Sequence, residues 1–213
     1  MVRRTKSEAL ATRHALLDAA ELLFQARGVS RTSLNDIAVA AGTTRGAIYW
    51  HFKDKADLFN AMMERVTLPM EEGLERAGAA EDGDPVVHLR EAMLYALHKT
   101  ATDEQTRRVF EVATHKVEYV DELSAVKERH LSVRNECLAQ TTHGMKQAVR
   151  RRGVELPIPV AAAALGLHVM VDGLIQNWLL DPTAFDLQGV GRQTINTYLA
   201  GLGLAAAPAA NKG

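Results

Sequence analysis

Apolar positions recur along most of this chain at spacings of three and four, the period of an α-helix with one buried side. Between Ala9 and Arg27 the stripe is Leu16, Ala20, Leu23 and Phe24, and Gly28 ends it. Two short helices follow. Leu34, Ile37, Ala38 and Ala41 share a face behind Thr32 or Ser33 as cap, and Ala47, Ile48 and Phe52 share another behind Thr43 or Thr44. Asp54 caps a fourth helix carrying Leu58, Met62 and Val66, in which Pro69 kinks or ends the regular part. Gly78 to Pro85 is loop, and Asp84 with Pro85 starts a fifth helix that turns Val86, Leu89, Met93, Ala96 and Leu97 inward. Thr102 or Asp103 caps a sixth, with Val109, Phe110, Ala113 and Val117 inward. A long, polar seventh runs from about Asp121 to Arg152, where three arginines complement the helix dipole and Gly153 stops it. The eighth, from Ala161 to Leu180, is apolar nearly all round, and the ninth runs from about Leu187 to Leu202. The pattern predicts an all-α chain of about nine helices.

Composition agrees. Of 213 residues 47% are hydrophobic, ample for a core, while aromatics are only 5% and β-branched runs are scarce. The net charge of −1 hides an uneven distribution. Up to Lys55 the basic residues Arg3, Arg4, Lys6, Arg13, Arg27, Arg31, Arg45, Lys53 and Lys55 outweigh Glu8, Asp18, Glu21, Asp36 and Asp54. A basic head on an acidic remainder suits a partner made of phosphates. Residues 1–55 are therefore expected to form the head, 56–205 a larger body, and 206–213 (AAPAANKG) a disordered tail. Arg3, Arg4 and Lys6 precede the helical pattern, as either an arm lying along DNA or a solvated terminus. The charged opening MVRRTKSEA has no apolar core, so a cytoplasmic protein is expected.

Two short helices around Gly42 have the geometry of a helix-turn-helix, whose second helix enters the major groove of DNA. Its outward face crowds Thr44, Arg45, Gly46, Tyr49, Trp50 and His51 into little more than a turn. Arg45 suits guanine O6 and N7, while Thr32, Thr44, Tyr49 and His51 supply donors for phosphate oxygens. Gly46 leaves the backbone bare for close approach. The alternative is a small helical subdomain with Tyr49 and Trp50 half buried.

The other anomaly lies in the eighth helix. Its length suits a membrane span, but Asp172 near the middle costs roughly 2.5–3.5 kcal/mol in a bilayer. A buried helix of a bundle, with no membrane partner, fits better. His168, Asp172 and Gln176 then form a stripe that must bond internally, pair with neighbours or face a cavity, since an unpaired buried polar group costs about 1–3 kcal/mol. No Gly-rich phosphate loop or paired cysteine motif is present, and His168 with Asp172 lacks a third ligand of its own spacing, so no metal, cofactor or enzymatic chemistry is expected. Cys137 is the single cysteine and belongs to no disulfide framework.

LNDIAVAAG followed by TRGAIYWHFKDKADLF resembles the DNA-binding signature of TetR-type transcriptional regulators. With the opening MVRRTKSEA and the Arg13 region, the likeness is to the branch that represses multidrug efflux pumps. A weaker likeness runs through TRRVFEVATHK, YVDELS and VDGLIQNWLL. The resemblance implies a repressor that binds a near-palindromic double-stranded operator as a homodimer, with Lys55 on the DNA backbone and the last two helices pairing with their mates. Trp178, Leu179, Ile195, Tyr198 and Leu202 are the expected contacts of that pairing. It further implies a pocket for a small hydrophobic or aromatic effector, such as an antimicrobial or a plant-type phenolic. The matching positions are Val66, Met93, Ala96, Leu97, Phe110, Thr114, Arg134, Cys137, Leu138, Thr141, His168, Val171, Asp172, Ile175 and Gln176. A DNA-binding regulator with no effector, and a helical small-molecule enzyme with a vestigial head, are the competing readings.

Overall fold

The computed structural model describes residues 6–79, 83–118 and 123–205. Among these are nine helices and no strand: α1 Lys6–Arg27, α2 Leu34–Ala40, α3 Arg45–His51, α4 Lys55–Ala79, α5 Pro85–Thr102, α6 Glu104–His115, α7 Ser124–Arg152, α8 Val160–Leu180 and α9 Leu187–Gly201. The all-α expectation is met. Pro69 does not end α4, which continues through it to Ala79, so the expected loop loses its first residues. Lys6 belongs to α1 rather than to an arm. Arg3, Arg4 and the tail 206–213 lie outside the described residues.

Two compact units result, and neither follows a single cut near residue 55. One comprises Met1–Thr67 with Glu104–Ser132, the other Leu68–Asp103 with Val133–Gly213. The reason is packing. In the first unit α1 lies against α2, α3 and α6. Leu16, Ala20 and Phe24 of α1 meet Ile37, Ile48, Leu58, Phe59, Met62, Val109 and Val112 in one core, each of them fully or almost fully buried. Each such aliphatic or aromatic side chain contributes about 1.5–3 kcal/mol by leaving water. The three-helix head thus closes only with α6 and the start of α4 in place.

The second unit is built on α5, α8 and α9, which pack on one another. Leu89, Met93 and Leu97 of α5, Leu167, Val171 and Ile175 of α8, and Ile195 and Leu199 of α9 are among its buried side chains. Tyr198 Oη donates to Ala163 O at 3.0 Å and ties α9 to α8. Asp84 caps α5 by accepting from Val86 N–H at 3.0 Å, and Arg152 at the end of α7 pairs with the same carboxylate. The arginine run therefore contributes a brace.

α8 meets its expectation only in part. It is long and apolar enough to span a bilayer, yet it packs against α5 and α9 as part of the body. It is not buried all round either: Leu165, Val169, Asp172, Gln176 and Leu180 are exposed along one face. Trp178, Leu179, Ile195 and Leu202, expected to meet a partner copy, are instead buried within the unit.

Candidate nucleic-acid interface and ligand pocket

Local chemistry fixes the two short helices. Ser33 opens α2 with a reciprocal capping box: its Oγ accepts from Asp36 N–H at 3.1 Å, and Asp36 Oδ2 accepts from Ser33 N–H at 2.9 Å. The Ser33 hydroxyl, donating to Asp36 Oδ2 at 2.6 Å, and then the Ser33 N–H hold the Asp36 carboxyl below the usual aspartate range. At the far end Gly42 takes φ 65°, and Thr43 N–H reaches back to Ala38 O at 2.9 Å. Thr44 then caps α3, its Oγ1 accepting from Ala47 N–H at 3.2 Å. The hydroxyl proton of Thr44 stays available to an outside acceptor.

In α3 only Ile48 is buried. Arg45, Gly46, Tyr49 and Trp50 point outward, Tyr49 50% and Trp50 73% exposed. The Arg45 guanidinium lies 5.8 Å from the Tyr49 ring centre, and the half-buried His51 ring meets Trp50 edge-on at 4.6 Å. The expected outward face of the second helix is thus present, with Tyr49 and Trp50 free of the core.

Two expected phosphate donors are largely buried. Thr32 is buried and its hydroxyl donates to Gly28 O at 2.9 Å, so it braces the turn after α1. Lys55 is buried as well, its Nζ donating to Ser30 O at 3.4 Å. A signature motif gives residue identity but not which way a side chain is drawn, and here backbone carbonyls draw both inward. Both still line an open groove of about 420 Å³, together with Ser30, Arg31, Ser33, Leu34, Asp36, Tyr49, Lys53 and Asp54. Arg31 and Lys53 are exposed on it. Both belong to the basic excess up to Lys55, and their position beside the caps of α2 and α4 is the signal that marks them for this site.

The expected pocket residues divide between the units. Val66 belongs to the first unit's core, Phe110 packs against that core, and Thr114 is half-buried on α6. In the second unit Met93, Leu97, Val171 and Ile175 are buried, while Ala96, Cys137, Leu138 and His168 are half-buried. Thr141 is fully buried with its hydroxyl on Cys137 O at 2.8 Å. Arg134 is exposed, its guanidinium on Asn135 Oδ1 at 3.0 Å. The polar stripe is not interior: Asp172 and Gln176 are exposed and bond each other at 2.7 Å. Burial lowers the pKa of His168, with Asp172 raising it and Arg134 lowering it further. A cavity of about 200 Å³ in this unit is lined by Leu68, Glu71, Glu72, Leu74, Glu75, Glu136, Cys137 and Gln140. Cys137 alone among the expected residues lines it. Burial, then Glu71 and Glu136, pushes the Cys137 thiol up to about 11. No group of three or more His, Cys, Asp or Glu among the described residues is placed to hold a metal.

Residues 16–62 match the family described as "Bacterial regulatory proteins, tetR family", and residues 84–203 match "MAATS-type transcriptional repressor, C-terminal region". The HTH-type transcriptional regulator TtgR of Pseudomonas putida is 40% identical over 200 residues, covering 93% of this chain and 95% of its own. Among solved structures, NalD, the secondary repressor of the MexAB-OprM multidrug efflux pump in Pseudomonas aeruginosa, superposes with a TM-score of 0.84 at 35% identity, over 92% of this chain and 98% of NalD. SmeT, the repressor of the Stenotrophomonas maltophilia pump SmeDEF, superposes in its triclosan complex with a TM-score of 0.80 at 32% identity, over 89% and 90% of the two chains. The two family matches, together with 40% identity to TtgR over nearly the whole of both chains, place this protein in the TetR family of transcriptional regulators.

Proposed function

We propose that this protein represses a multidrug efflux operon in the cytoplasm, binding a near-palindromic operator as a homodimer and leaving it when a hydrophobic or aromatic effector binds the body. The observation that carries the reading is the face of α3, where Arg45, Tyr49 and Trp50 stand exposed on a helix capped at its start. Arg45 reads a base, and Thr44, Tyr49, Trp50 and His51 hold the backbone, with Arg31 and Lys53 adding positive charge at the rim. The apolar exposed face of α8, with Leu165, Val169 and Leu180, supports pairing of two copies. Two-fold pairing in turn sets two recognition helices against two half-sites.

Buried Met93, Leu97, Val171 and Ile175 with half-buried Cys137 and His168 in the same unit are the mix of apolar and sparse polar groups that small-molecule sites use. That pump repressors similar to this chain include one solved with triclosan supports an apolar, ring-bearing effector. For release, the effector must bind the DNA-free conformation more tightly than the DNA-bound one. The test is gel retardation of the duplex upstream of the protein's own gene, with and without a panel of hydrophobic antimicrobials. Retardation that Arg45→Ala weakens, and that members of the panel reverse, is expected. A chain that retards neither that duplex nor any sequence selected from a random library contradicts the proposal.

A further inference from the structure

α3 is a short element. It is seven residues long, and Ile48 is its one buried side chain. Thr44 fixes its first turn, and beyond Ile48 the buried C-cap residue Phe52 holds its last. Its last carbonyls have no partners within the helix. One of them is met from outside. Arg13, on α1, donates through Nη1 to His51 O at 3.3 Å. The same guanidinium lies 4.4 Å from the centre of the Phe52 ring, and Phe52 is the buried C-cap residue of α3. A planar cation thus closes the carboxyl end of the helix, where positive charge also complements the dipole. Arg13 is half-buried, so it is held in this position rather than projected outward beside Arg45 and Trp50.

We infer that Arg13 is a positioning residue for operator recognition: it clamps the carboxyl end of α3 and so sets the angle at which Arg45 meets a base edge. The inference rests on the reading of α3 as the DNA-reading helix. Arginine is required for two reasons. Its flat, delocalised cation stacks on the Phe52 ring while an N–H of the same plane donates to the carbonyl. Lysine keeps the charge but is a compact point donor on a flexible stem, and cannot hold both contacts in one plane.

Arg13→Lys is therefore the informative substitution. The probes are the duplex that the unaltered protein enriches most strongly from a random-sequence library, and a scrambled duplex of equal composition. Affinity for each is followed by fluorescence anisotropy across a salt series, and folding by thermal melting. In Arg13→Lys the ratio of operator to scrambled affinity falls roughly tenfold, the size of one impaired base contact. The salt dependence of binding stays as in the unaltered protein, because no phosphate contact is lost. A role confined to stability would lower the folded fraction and scale both affinities alike, so an unchanged ratio overturns the inference. A salt slope reduced by about one, with both duplexes weakened equally, also overturns it and marks Arg13 as a phosphate contact. Should the unaltered protein enrich no sequence at all, the DNA-reading helix itself is refuted and the clamp with it.

Discussion

Glu21 offers the sharpest test of how the first unit is held together. Its side chain, on α1, is 1% exposed and accepts from Arg65 of α4, from Gln105 Nε2 at 3.0 Å and from Arg108 Nη1 at 3.5 Å. Arg65 also reaches Asp18 at 2.8 Å. Burial opposes ionisation of this carboxyl while Arg65, Gln105 and Arg108 favour it, and burial wins: its pKa stands above the ordinary 4.5. The charge therefore costs the fold somewhat more than its partners give back. Glu21→Gln keeps the shape and an acceptor while dropping the charge, and is expected at neutral pH to lie within about 1 kcal/mol of the unaltered protein or above it. Glu21→Ala removes the acceptors too. Arg65 and Arg108 are then left 21% and 25% exposed, partly hydrated, so a loss of roughly 2–3 kcal/mol follows rather than the 3–5 of a sealed pair.

The pH dependence separates this account from the common one in which a salt bridge stabilises. With the folded pKa above the unfolded value, the native protein binds more protons than the unfolded chain between the two. Stability from Glu21 therefore falls as pH rises through that window, and the penalty vanishes below the unfolded pKa. The advantage of Glu21→Gln should grow from nothing near pH 4.5 and level off above the folded pKa. Urea midpoints at constant m, followed by circular dichroism from about pH 5 to about pH 8, measure it. A Gln variant that is worse by more than about 2 kcal/mol at neutral pH, with the deficit widening as pH rises, would show a carboxylate stabilised by its partners and refute the reasoning.

Two further outcomes bear on the second unit. Gly191→Ala on α9 puts a methyl group onto the Cδ1 of fully buried Leu97, so overpacking of about 1–3 kcal/mol should offset or exceed the helix-propensity gain of about 1 kcal/mol. At Gly73 on α4 nothing lies within 4 Å of the new Cβ, and the same change should stabilise by about 0.5–1 kcal/mol. Urea melts showing equal responses at the two sites would contradict the α5–α9 packing. Cys137, the chain's single cysteine, should react slowly with a maleimide at neutral pH, and its rate should keep rising tenfold per pH unit well beyond 9, toward the value of about 11 to which burial and Glu71 push it. A plateau near the ordinary thiol value of 9.0 would mean that the thiol stands in open water.

How far the sequence could be read depended on whether a signal was local. Caps and turns are local, so Thr44, Gly42, Asp84 with Pro85, and Gly153 marked element ends that the structure repeats. The outward face of α3 was legible because a single turn of helix separates Ile48 from Arg45, Tyr49 and Trp50. The burial of Thr32 and Lys55 was not legible because their direction depends on carbonyls brought near by folding, Gly28 O for one and Ser30 O for the other. The packing of α6 into the first unit was not legible for the same reason. Val109 and Val112 of α6 reveal an apolar face, but nothing in their spacing says that α1 covers it.

α8 shows what periodicity leaves open. Ala164, Leu167, Val171, Ile175 and Trp178 form its buried side, and Leu165, Val169, Asp172, Gln176 and Leu180 the opposite, exposed one. Both sides carry large apolar residues, so hydropathy alone assigns the polar stripe to an interior and gives it a cost of about 1–3 kcal/mol per unmet group. On the exposed side the stake is far smaller. The Gln176–Asp172 bond is an exposed pair four residues apart, worth a few tenths of a kcal/mol. Asp172→Ala should therefore change the stability of dilute protein, with copies apart, by less than about 0.5 kcal/mol. A loss beyond about 2 kcal/mol in the same urea melt would return Asp172 to the interior. A small loss together with a changed effector response or weakened self-association would tie this residue to function through the face it shares with Leu165 and Val169.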